Sequence, residues 1–504
     1  MHLIPLSRRS WMKSASAYAV AVATTSTVSA ILAADDPPAA IDIGSRRELF
    51  VDEELIESLT DLQLALHRPH DEGQVLAFDK PWEGGFCGYA TVIRDGELLR
   101  LYYRGLGEAG QDGSRSETTC YAESNDGINW TKPRLGLYEV KGTRENNVVL
   151  ADAAPVSHNF SPMLDSKPDV SAEVRFKALG GTMKSGLIAW GSADGLRWHK
   201  LQDAPVIAAE QVPFPYFFDS QNLAFWSESE QAYVCYFRVF QDKIRRIARC
   251  TSLDFLTWSA PVLMQYRHRG DDAPIEHLYT NQTHPYFRAP HLYVSIAARF
   301  MPGRQVLTDE QAEAIGVNPR YFKDTSDAIF MTTRPGRDIY DRTFLSSFVR
   351  PGIGAHNWVS RTNYPALNVV QTGPTEMSVF LNQDYAQPTA HLRRYSMRLD
   401  GFTSVQADYQ GGELLTKPLR FSGSQLTLNF ATSAAGSVRV EIQEPNGKPI
   451  PGFSLDDARP QIGNEIERFV QWKTGSDLSQ LAGQPVRLRF AMQDADLYAF
   501  QFSN

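Results

Sequence analysis

The sequence predicts an all-β protein in which a five-bladed β-propeller is followed by a C-terminal β-sandwich. Three observations lead to this prediction. A phrase of serine, aspartate and tryptophan returns at blade-sized intervals, short alternating apolar runs fill most of the chain, and helical periodicity is nearly absent. A chain of 504 residues has room for one large repeat domain and one smaller domain.

The repeated phrase begins at Ser124, returns at Ser192, and returns again at Ser252, where Phe255 takes the place of a glycine. Each copy follows a short alternating apolar run, so we expect a strand that ends in a tight turn. In such a turn the aspartate accepts backbone N–H groups, and the tryptophan covers the apolar layer. The phrase is therefore predicted to be structural.

Each predicted blade has an inner strand A, a second strand B and a third strand C. The A strands are expected at residues 89–94, 159–164, 222–226, 282–287 and 366–370, and the B strands at 98–104, 174–180, 232–238, 292–299 and 377–382. These blades account for residues 41–410. Two earlier runs, at 46–52 and 62–67, are predicted to complete the last blade and close the ring.

Two further segments are predicted outside this blade pattern. Residues 412–504 alternate with a period of two, contain an Asn446-Gly447 hairpin signal, and form the predicted β-sandwich. A short helix is expected at 307–315, with Thr308 as its N-cap.

The first 34 residues are predicted to be an export signal. Arg8 and Arg9 precede an uncharged run rich in Ala, Ser and Val, a pattern that resembles a twin-arginine signal. A membrane anchor is the alternative interpretation. Removal of residues 1–34 takes away three basic groups and changes the net charge from −8 to −11, which argues against nucleic acid as a partner. We expect a periplasmic or extracellular protein with no membrane span after signal removal.

The cysteines are too few for a disulfide scaffold and lack the close spacing of a zinc site. They are Cys87, Cys120, Cys235 and Cys250. We expect buried free thiols in strands. A bridge between Cys235 and Cys250 is the alternative, although a hairpin centred on Gln241 would place a residue near 248 opposite Cys235.

No cofactor and no metal site are predicted. His158, His277 and His284 lack the ligand spacing of known metal motifs, so we expect them to be hydrogen-bonded side chains.

A propeller gathers the starts of its A strands and the ends of its B strands around one mouth of its central channel. Carboxylates across such a funnel suit glycosidic cleavage, in which one acid protonates the departing oxygen and the other acts as base or nucleophile. Asp219 and Glu276 are predicted as the first catalytic pair, and Glu83 is the third candidate. The alternative for each acid is a local hydrogen bond or a solvated loop charge.

The remaining residues at this mouth are predicted to bind substrate. They are Trp82, Arg104, His158, Asn159, Arg238, Tyr279, Asn281, Arg299, Arg361 and Asn363. Guanidinium groups bind carboxylate or sulfate bidentately, so Arg104, Arg238 and Arg299 favour an anionic sugar, sulfated or uronic. The alternative is that these arginines neutralise the three candidate acids.

The blade count, the repeated turns and the terminal sandwich resemble the exported five-bladed propeller glycosidases, especially families 32 and 43 of the glycoside hydrolases. The resemblance covers the architecture of nearly all of the mature chain and does not extend to the catalytic motifs. Where family 32 has aspartate and glutamate motifs in blades one to three, this chain has Trp82-Glu83-Gly84, His158-Asn159 and Phe218-Asp219-Ser220. The turns also resemble the Asp boxes of sialidases, which are structural.

The resemblance implies a glycoside hydrolase that acts on a complex polysaccharide through paired carboxylates in the propeller funnel. The alternative, favoured by the missing motifs, is a non-catalytic carbohydrate-binding propeller. In both cases the expected partner is a carbohydrate.

Overall fold

The computed structural model describes residues 40–504 of the chain. The predicted export signal at residues 1–34 lies outside these residues. Among the described residues, no helix combines the length and the hydropathy that a membrane crossing requires. The first strands are β1 (Ile41–Gly44), β2 (Arg47–Leu49), β3 (Ile56–Thr60), β4 (Leu62–Leu66) and β5 (His70–Ala77).

The first three blades are four-stranded sheets in which neighbouring strands are also neighbours in sequence. Blade one contains β6 (Gly88–Asp95), β7 (Leu98–Gly105), β8 (Thr118–Ser124) and β9 (Val148–Leu150). Blade two contains β10 (Ser161–Leu164), β11 (Phe176–Gly180), β12 (Ile188–Ser192) and β13 (His199–Lys200). Blade three contains β14 (Leu223–Ser227), β15 (Ala232–Gln241), β16 (Ile244–Ser252) and β17 (Val262–Leu263).

Blade four is larger, with β18 (Gln265–His268), β19 (Asp271–Asp272), β20 (His277–Thr280), β21 (Thr283–Tyr286), β22 (Ala289–Met301), β23 (Thr325–Thr333), β24 (Ile339–Asp341) and β25 (Ser347–Val349). The predicted helix lies between β22 and β23 as α1 (Asp309–Ala314), and the Thr308 side chain caps it by accepting from Gln311 N. Blade five contains β26 (Tyr364–Pro365), β27 (Val370–Gln371), β28 (Glu376–Gln383) and β29 (His391–Arg398). Five 3₁₀ turns are also present, at Val156–His158, Ala172–Val174, Ala209–Gln211, Ala355–Trp358 and Ser479–Leu481.

The last strands form a second all-β unit. They are β30 (Thr403–Ala407), β31 (Gly412–Thr416), β32 (Leu419–Phe421), β33 (Gln425–Gln443), β34 (Asn464–Phe469) and β35 (Arg487–Ser503). Hydrogen bonds join β30, β31 and β33 to β35 in one eight-stranded sheet. Its register shifts between Thr432 and Ser437 of β33, and such bulges bend a sheet. The predicted sandwich is thus one continuous sheet around one apolar core, which includes Phe50, Leu428, Trp472 and Phe490.

The strand that closes the ring differs from the expected one. β5 pairs with β29 and completes blade five, whereas β2 pairs with β35 and β4 pairs with β30. The expectation that the runs at 46–52 and 62–67 complete the last blade was wrong. A period-two pattern shows that a segment is a strand but does not select its partner. The predicted limits of 41–410 and 412–504 therefore do not follow the sheets, because strands from both chain ends form the second unit.

Blade one and blade five meet directly at the channel. Val92 N donates to Leu367 O, and Leu367 N donates to Ala90 O. Buried glutamines fill the channel below this contact, because Gln282 Nε2 donates to Gln221 Oε1 at 2.7 Å and Gln221 Nε2 donates to Thr91 Oγ1 at 2.9 Å. All five blades contribute to a closed ring with a filled centre.

The repeated turns are structural, as the sequence predicted. In the first copy Asp126 Oδ1 accepts from the backbone N–H groups of residues 128 and 129, both at 2.8 Å. Trp130 Nε1 donates to Gly127 O at 3.0 Å. The copies that begin at Ser192 and Ser252 repeat these contacts.

The four cysteines are buried and free. Cys235 lies opposite Cys250 in the β15–β16 ladder, two residues from the partner expected at 248. The hairpin turns at Asp242 and Lys243, which have φ of 52° and 65°, as a two-residue primed turn requires. The sequence pattern had placed the turn near Gln241.

Candidate active site

One small cavity at a mouth of the propeller receives a residue from the start of every blade. These residues are Tyr89, His158, Asp219, Tyr279 and Arg361. The ends of β7 and β28 add Arg104 and Asn382, and the wall is completed by Cys87, Gly88, Asp112, Tyr364 and Tyr385. The cavity measures about 60 Å³, which is room for a few water molecules or a small polar group.

The backbone at this mouth adopts conformations that non-glycine residues rarely take. Tyr89, Phe218 and Arg361 have φ of 52°, 64° and 62°. Each such residue costs about 1–3 kcal/mol and persists only where the surrounding structure holds it in place. The strain therefore falls on Tyr89 and Arg361, which line the cavity, and on the residue just before Asp219.

Asp219 is held in the cavity wall by two cationic side chains. Its Oδ2 accepts from Arg238 NH2 at 2.6 Å, its Oδ1 lies 3.5 Å from His158 Nε2, and its side chain is 36% exposed. Burial would raise the pKa of Asp219, but the contacts with His158, Arg238 and Tyr216 outweigh burial and hold that pKa well below its usual range. Asp219 is therefore an ionised carboxylate.

His158 is held between two carboxylates. Its Nδ1 lies 2.8 Å from Glu117 Oε1, and its Nε2 faces Asp219. Burial would lower the pKa of His158, but the hydrogen bonds to Asp219 and Glu117 raise it to about 9. The imidazole is thus a cation at neutral pH, with a proton on each nitrogen, and it positions Asp219.

Arg104 occupies the space between Asp112, Glu117 and His158. The ligand atoms of those three residues lie within 4.8 Å of one another. Arg104 NH1 is 3.6 Å from each carboxylate and 3.2 Å from His158 Nδ1. The positive charge that this cluster calls for is supplied by the guanidinium group, so the donor set does not fit a metal ion.

Solved structures similar to this chain are distant in sequence. One described as a glycoside hydrolase has 11% identity and a TM-score of 0.43, over 66% of this chain and 92% of that one. An N-acetylgalactosamine deacetylase from F. plautii has 12% identity and a TM-score of 0.42, over 68% and 97%. A fructofuranosidase from Schwanniomyces occidentalis has 12% identity and a TM-score of 0.37, over 86% and 97%.

A thermostable family-43 glycoside hydrolase is also among these structures, with 12% identity and a TM-score of 0.37, over 65% of this chain and 95% of that one. Propeller glycoside hydrolases are also the proteins that the sequence resembles. A scan against protein-family models finds no match, and a search of the curated proteins finds none either. Likeness this remote says nothing about the reaction.

Glu83 and Trp82 lie away from the cavity. Glu83 is buried, accepts from Tyr103 Oη at 2.6 Å, and is paired with Lys132 Nζ at 2.6 Å. Trp82 Nε1 donates to Asn147 Oδ1 at 2.7 Å inside the apolar core of blade one. Both residues anchor the segment before β6, and Tyr89 takes the place at the mouth that was predicted for them.

Glu276 and Arg299 also lie outside the cavity lining. Glu276 is bound by Arg299 NH1 at 3.0 Å and by Arg342 NH1 at 2.6 Å, and Arg299 holds Asp327 as well, at 2.7 Å. The predicted pair of Asp219 and Glu276 is therefore not assembled in one cavity. Arg299 neutralises Glu276, which is the alternative role that the sequence left open for this arginine.

The three predicted asparagines tie backbone segments together. Asn159 Nδ2 donates to Gly181 O at 2.8 Å and Phe218 O at 2.7 Å, so Asn159 positions the residue before Asp219. Asn363 Nδ2 donates to Ser326 O at 3.0 Å. Asn281 Oδ1 accepts from Thr283 N at 3.0 Å. None of them lines the cavity.

Sequence reasoning missed the acids and phenols that come from loops. Asp112 and Glu117 belong to the segment between β7 and β8, and Tyr385 follows β28. The blade pattern predicts where strands end. It does not predict which residues of the loop between two strands return to the mouth. Tyr89 was missed for another reason, because it already belongs to the inner strand β6.

A wider cleft lies next to the cavity. It measures about 830 Å³ and is lined by residues of α1 and its flanks, including Asp309, Glu313, Phe322 and Lys323. Phe86 lines this cleft and packs against Tyr385 of the cavity wall, with ring centroids 5.6 Å apart. The cleft is of the size that binds small ligands.

Proposed function

We propose that this protein is a glycoside hydrolase that cleaves a glycosidic bond in a complex polysaccharide, with Asp219 and Asp112 as its catalytic carboxylates. One observation carries the proposal: acids from two different blades, Asp219 at the start of blade three and Asp112 in a loop of blade one, line the same cavity. Two carboxylates that face one reacting centre are the requirement of glycosidic cleavage.

The two acids have different surroundings, which suit different roles. Asp219 is ionised and held by Arg238 and His158, so it serves as the nucleophile at the anomeric carbon or as the base that deprotonates water. Asp112 has a 47% exposed side chain, and its place in the lining suits the second role, that of the acid that assists the departing oxygen. The net reaction adds hydroxide to the anomeric carbon and a proton to the leaving oxygen.

Aromatic side chains support a carbohydrate ligand. Tyr89, Tyr279, Tyr364 and Tyr385 surround the cavity and offer apolar faces to sugar rings together with polar hydroxyl groups. The wider cleft beyond Phe86 would hold further sugar units of a polymer. A chain bound across both spaces explains why the reacting cavity is small.

The charges at the cavity support an anionic substrate, sulfated or uronic. Arg104 and Arg238 are paired with Glu117 and Asp219, whereas Arg361, which also lines the cavity, has no carboxylate partner among the described residues. Cleavage of such a polysaccharide agrees with the twin-arginine-like pattern in residues 1–34, and we propose that the mature protein acts in the periplasm or outside the cell.

The test is an activity screen on sulfated and uronic polysaccharides, with new reducing ends as the signal. Wild-type protein is expected to release products, while Asp219→Asn and Asp112→Asn lose activity by about 10²–10⁴-fold. Asp126→Asn, in an outer turn, is the matched control and keeps full activity. Calorimetric binding of a polysaccharide without products from the wild type would instead support the non-catalytic propeller.

A further inference from the structure

Tyr279 is surrounded by an unusual number of positive charges. The guanidinium carbons of Arg238, Arg245 and Arg361 lie 4.3, 5.1 and 5.4 Å from the centre of its ring. One cation on an aromatic face is common, but three cations around one ring repel one another. The cluster therefore calls for compensating negative charge.

Within residues 40–504, carboxylates compensate only one of these cations. Arg238 is paired with Asp219 at 2.6 Å. Arg245 reaches only a histidine nitrogen, His277 Nδ1 at 3.4 Å, and within residues 40–504 the guanidinium of Arg361 has neither a hydrogen bond nor an ion pair. Among the residues that the structure describes, the buried Nε atoms of Arg245 and Arg361 also have no partner, and a partly buried charge without compensation is costly.

Arg361 is the member of this cluster that faces the cavity. It lines the cavity wall, and its guanidinium is packed 4.9 Å from the ring of Tyr321 and 5.9 Å from that of Tyr385. Its φ of 62° is strained. The side chain is thus held in one place by aromatic rings and not by an acid, which leaves its N–H groups available to a ligand.

A second unpartnered group lies in the same wall. Within the described part of the chain the buried hydroxyl of Tyr364 has no hydrogen-bond partner, and Tyr364 lines the cavity with Arg361. Its ring packs against Tyr279, with centroids 5.0 Å apart. The Tyr364 oxygen has almost no accessible surface, so Tyr364 contributes its ring to the wall, and an oxyanion in this cavity would accept from the guanidinium of Arg361.

We infer that Arg361 is a binding site for the carboxylate of a uronic acid residue of the polysaccharide. A planar guanidinium edge matches a planar carboxylate in a bidentate pair. The cavity of about 60 Å³ suits a group of that size. The inference rests on the proposed function for the bond that is cleaved, and it adds the charged sugar that the site selects.

The test compares a uronic polysaccharide with the same polymer after its carboxyl groups have been reduced to alcohols. Wild-type protein is expected to bind the uronic form roughly tenfold to a hundredfold more tightly, as for hydrogen bonds to a charged group. Arg361→Gln is expected to lose this preference and to bind the reduced polymer as the wild type does. Arg361→Lys keeps part of the preference, and Arg299→Gln, which changes a paired arginine outside the cavity, keeps it fully.

Calorimetry with free glucuronate and galacturonate measures the same site without any cleavage. Binding of a uronate by the wild type, lost in Arg361→Gln, supports the inference even if no polysaccharide is hydrolysed, so it separates this inference from the proposed function. Equal affinity of the wild type for the uronic and reduced polymers would overturn the inference. A preference for sulfated over uronic chains would overturn it as well, and neither comparison depends on a variant that folds.

Discussion

The starts of blades three and four show how one position in a repeat acquires two different surroundings. Asp219 precedes the inner strand of blade three, and Glu276 was predicted to hold the equivalent place in blade four. Asp219 is paired with one arginine and one histidine and lines the cavity. Glu276 is paired with two arginines and has a 24% exposed side chain outside the lining.

An extra strand causes the difference. In blade four, β20 (His277–Thr280) precedes the inner strand β21 and pairs with the far end of β22. The chain therefore passes the mouth at Tyr279, three residues after Glu276. A repeat position thus predicts that a residue lies near the mouth, but the local strand register decides whether its side chain enters the cavity.

The largest expected effect is that of Asp219→Asn. Loss of the ionised carboxylate removes the nucleophile or base, and we expect kcat to fall by about 10²–10⁴-fold. Steady-state kinetics on the polysaccharide identified in the screen measure this change, with circular dichroism as the control for folding. Activity within tenfold of the wild type would remove Asp219 from the mechanism.

His158 gives a pH-dependent effect on stability. Its pKa is raised to about 9 from an ordinary value near 6.5, so its contribution is complete below about pH 6.5 and is lost as the pH rises through about 9. At 1.36 kcal/mol per unit, this contribution is about 3 kcal/mol. Chemical unfolding of the wild type and His158→Asn is expected to give a stability difference that shrinks by about this amount between pH 6 and pH 10. A constant difference would contradict the protonated state assigned to His158.

Glu276→Gln is expected to change stability and leave activity intact. The substitution leaves Arg342, whose side chain is 2% exposed, without its charged partner, and we expect a loss of about 1–3 kcal/mol in the free energy of unfolding. Its kcat is expected to stay within about twofold of the wild type. A large loss of kcat in a folded Glu276→Gln protein would restore the pair predicted from the sequence.

The smallest effect is expected in the outer turns. Asp126→Asn weakens the bonds to the backbone N–H groups of residues 128 and 129, which costs about 1 kcal/mol of stability. The hydrogen bonds from the backbone N–H groups of residues 129 and 128, together with those from the side chains of Asn129 and Ser124, hold the pKa of Asp126 well below its usual range, although burial acts in the opposite direction. Unfolding curves at pH 7 measure this change. Reduced activity at unchanged stability would show that the turn has a role beyond structure.

The repeated phrase made much of the fold predictable. Ser124, Ser192 and Ser252 set the register of three blades, and this register placed His158, Asp219, Tyr279 and Arg361 at one mouth. The prediction worked because strand ends follow the hydrophobic period. It failed for Glu83, whose burial with Lys132 depends on a partner far along the sequence.

Loops and pairing partners set the limit of sequence reasoning. Asp112 reaches the cavity from a long loop whose path no local pattern specifies. Arg361 was predicted as one of several binding residues, but only the structure distinguishes it from Arg104, Arg238 and Arg299, which are all paired with carboxylates. The lack of a partner is a property of the folded surroundings and not of the sequence.

The most direct test of Asp219 as a catalytic carboxylate is the ratio of kcat in Asp219→Asn to kcat in Glu276→Gln, measured on the same polysaccharide with both proteins shown to be folded. We expect a ratio of about 10⁻² or lower, because the carboxylate at the start of blade three faces the reacting bond and that of blade four does not. A ratio near or above one would contradict it.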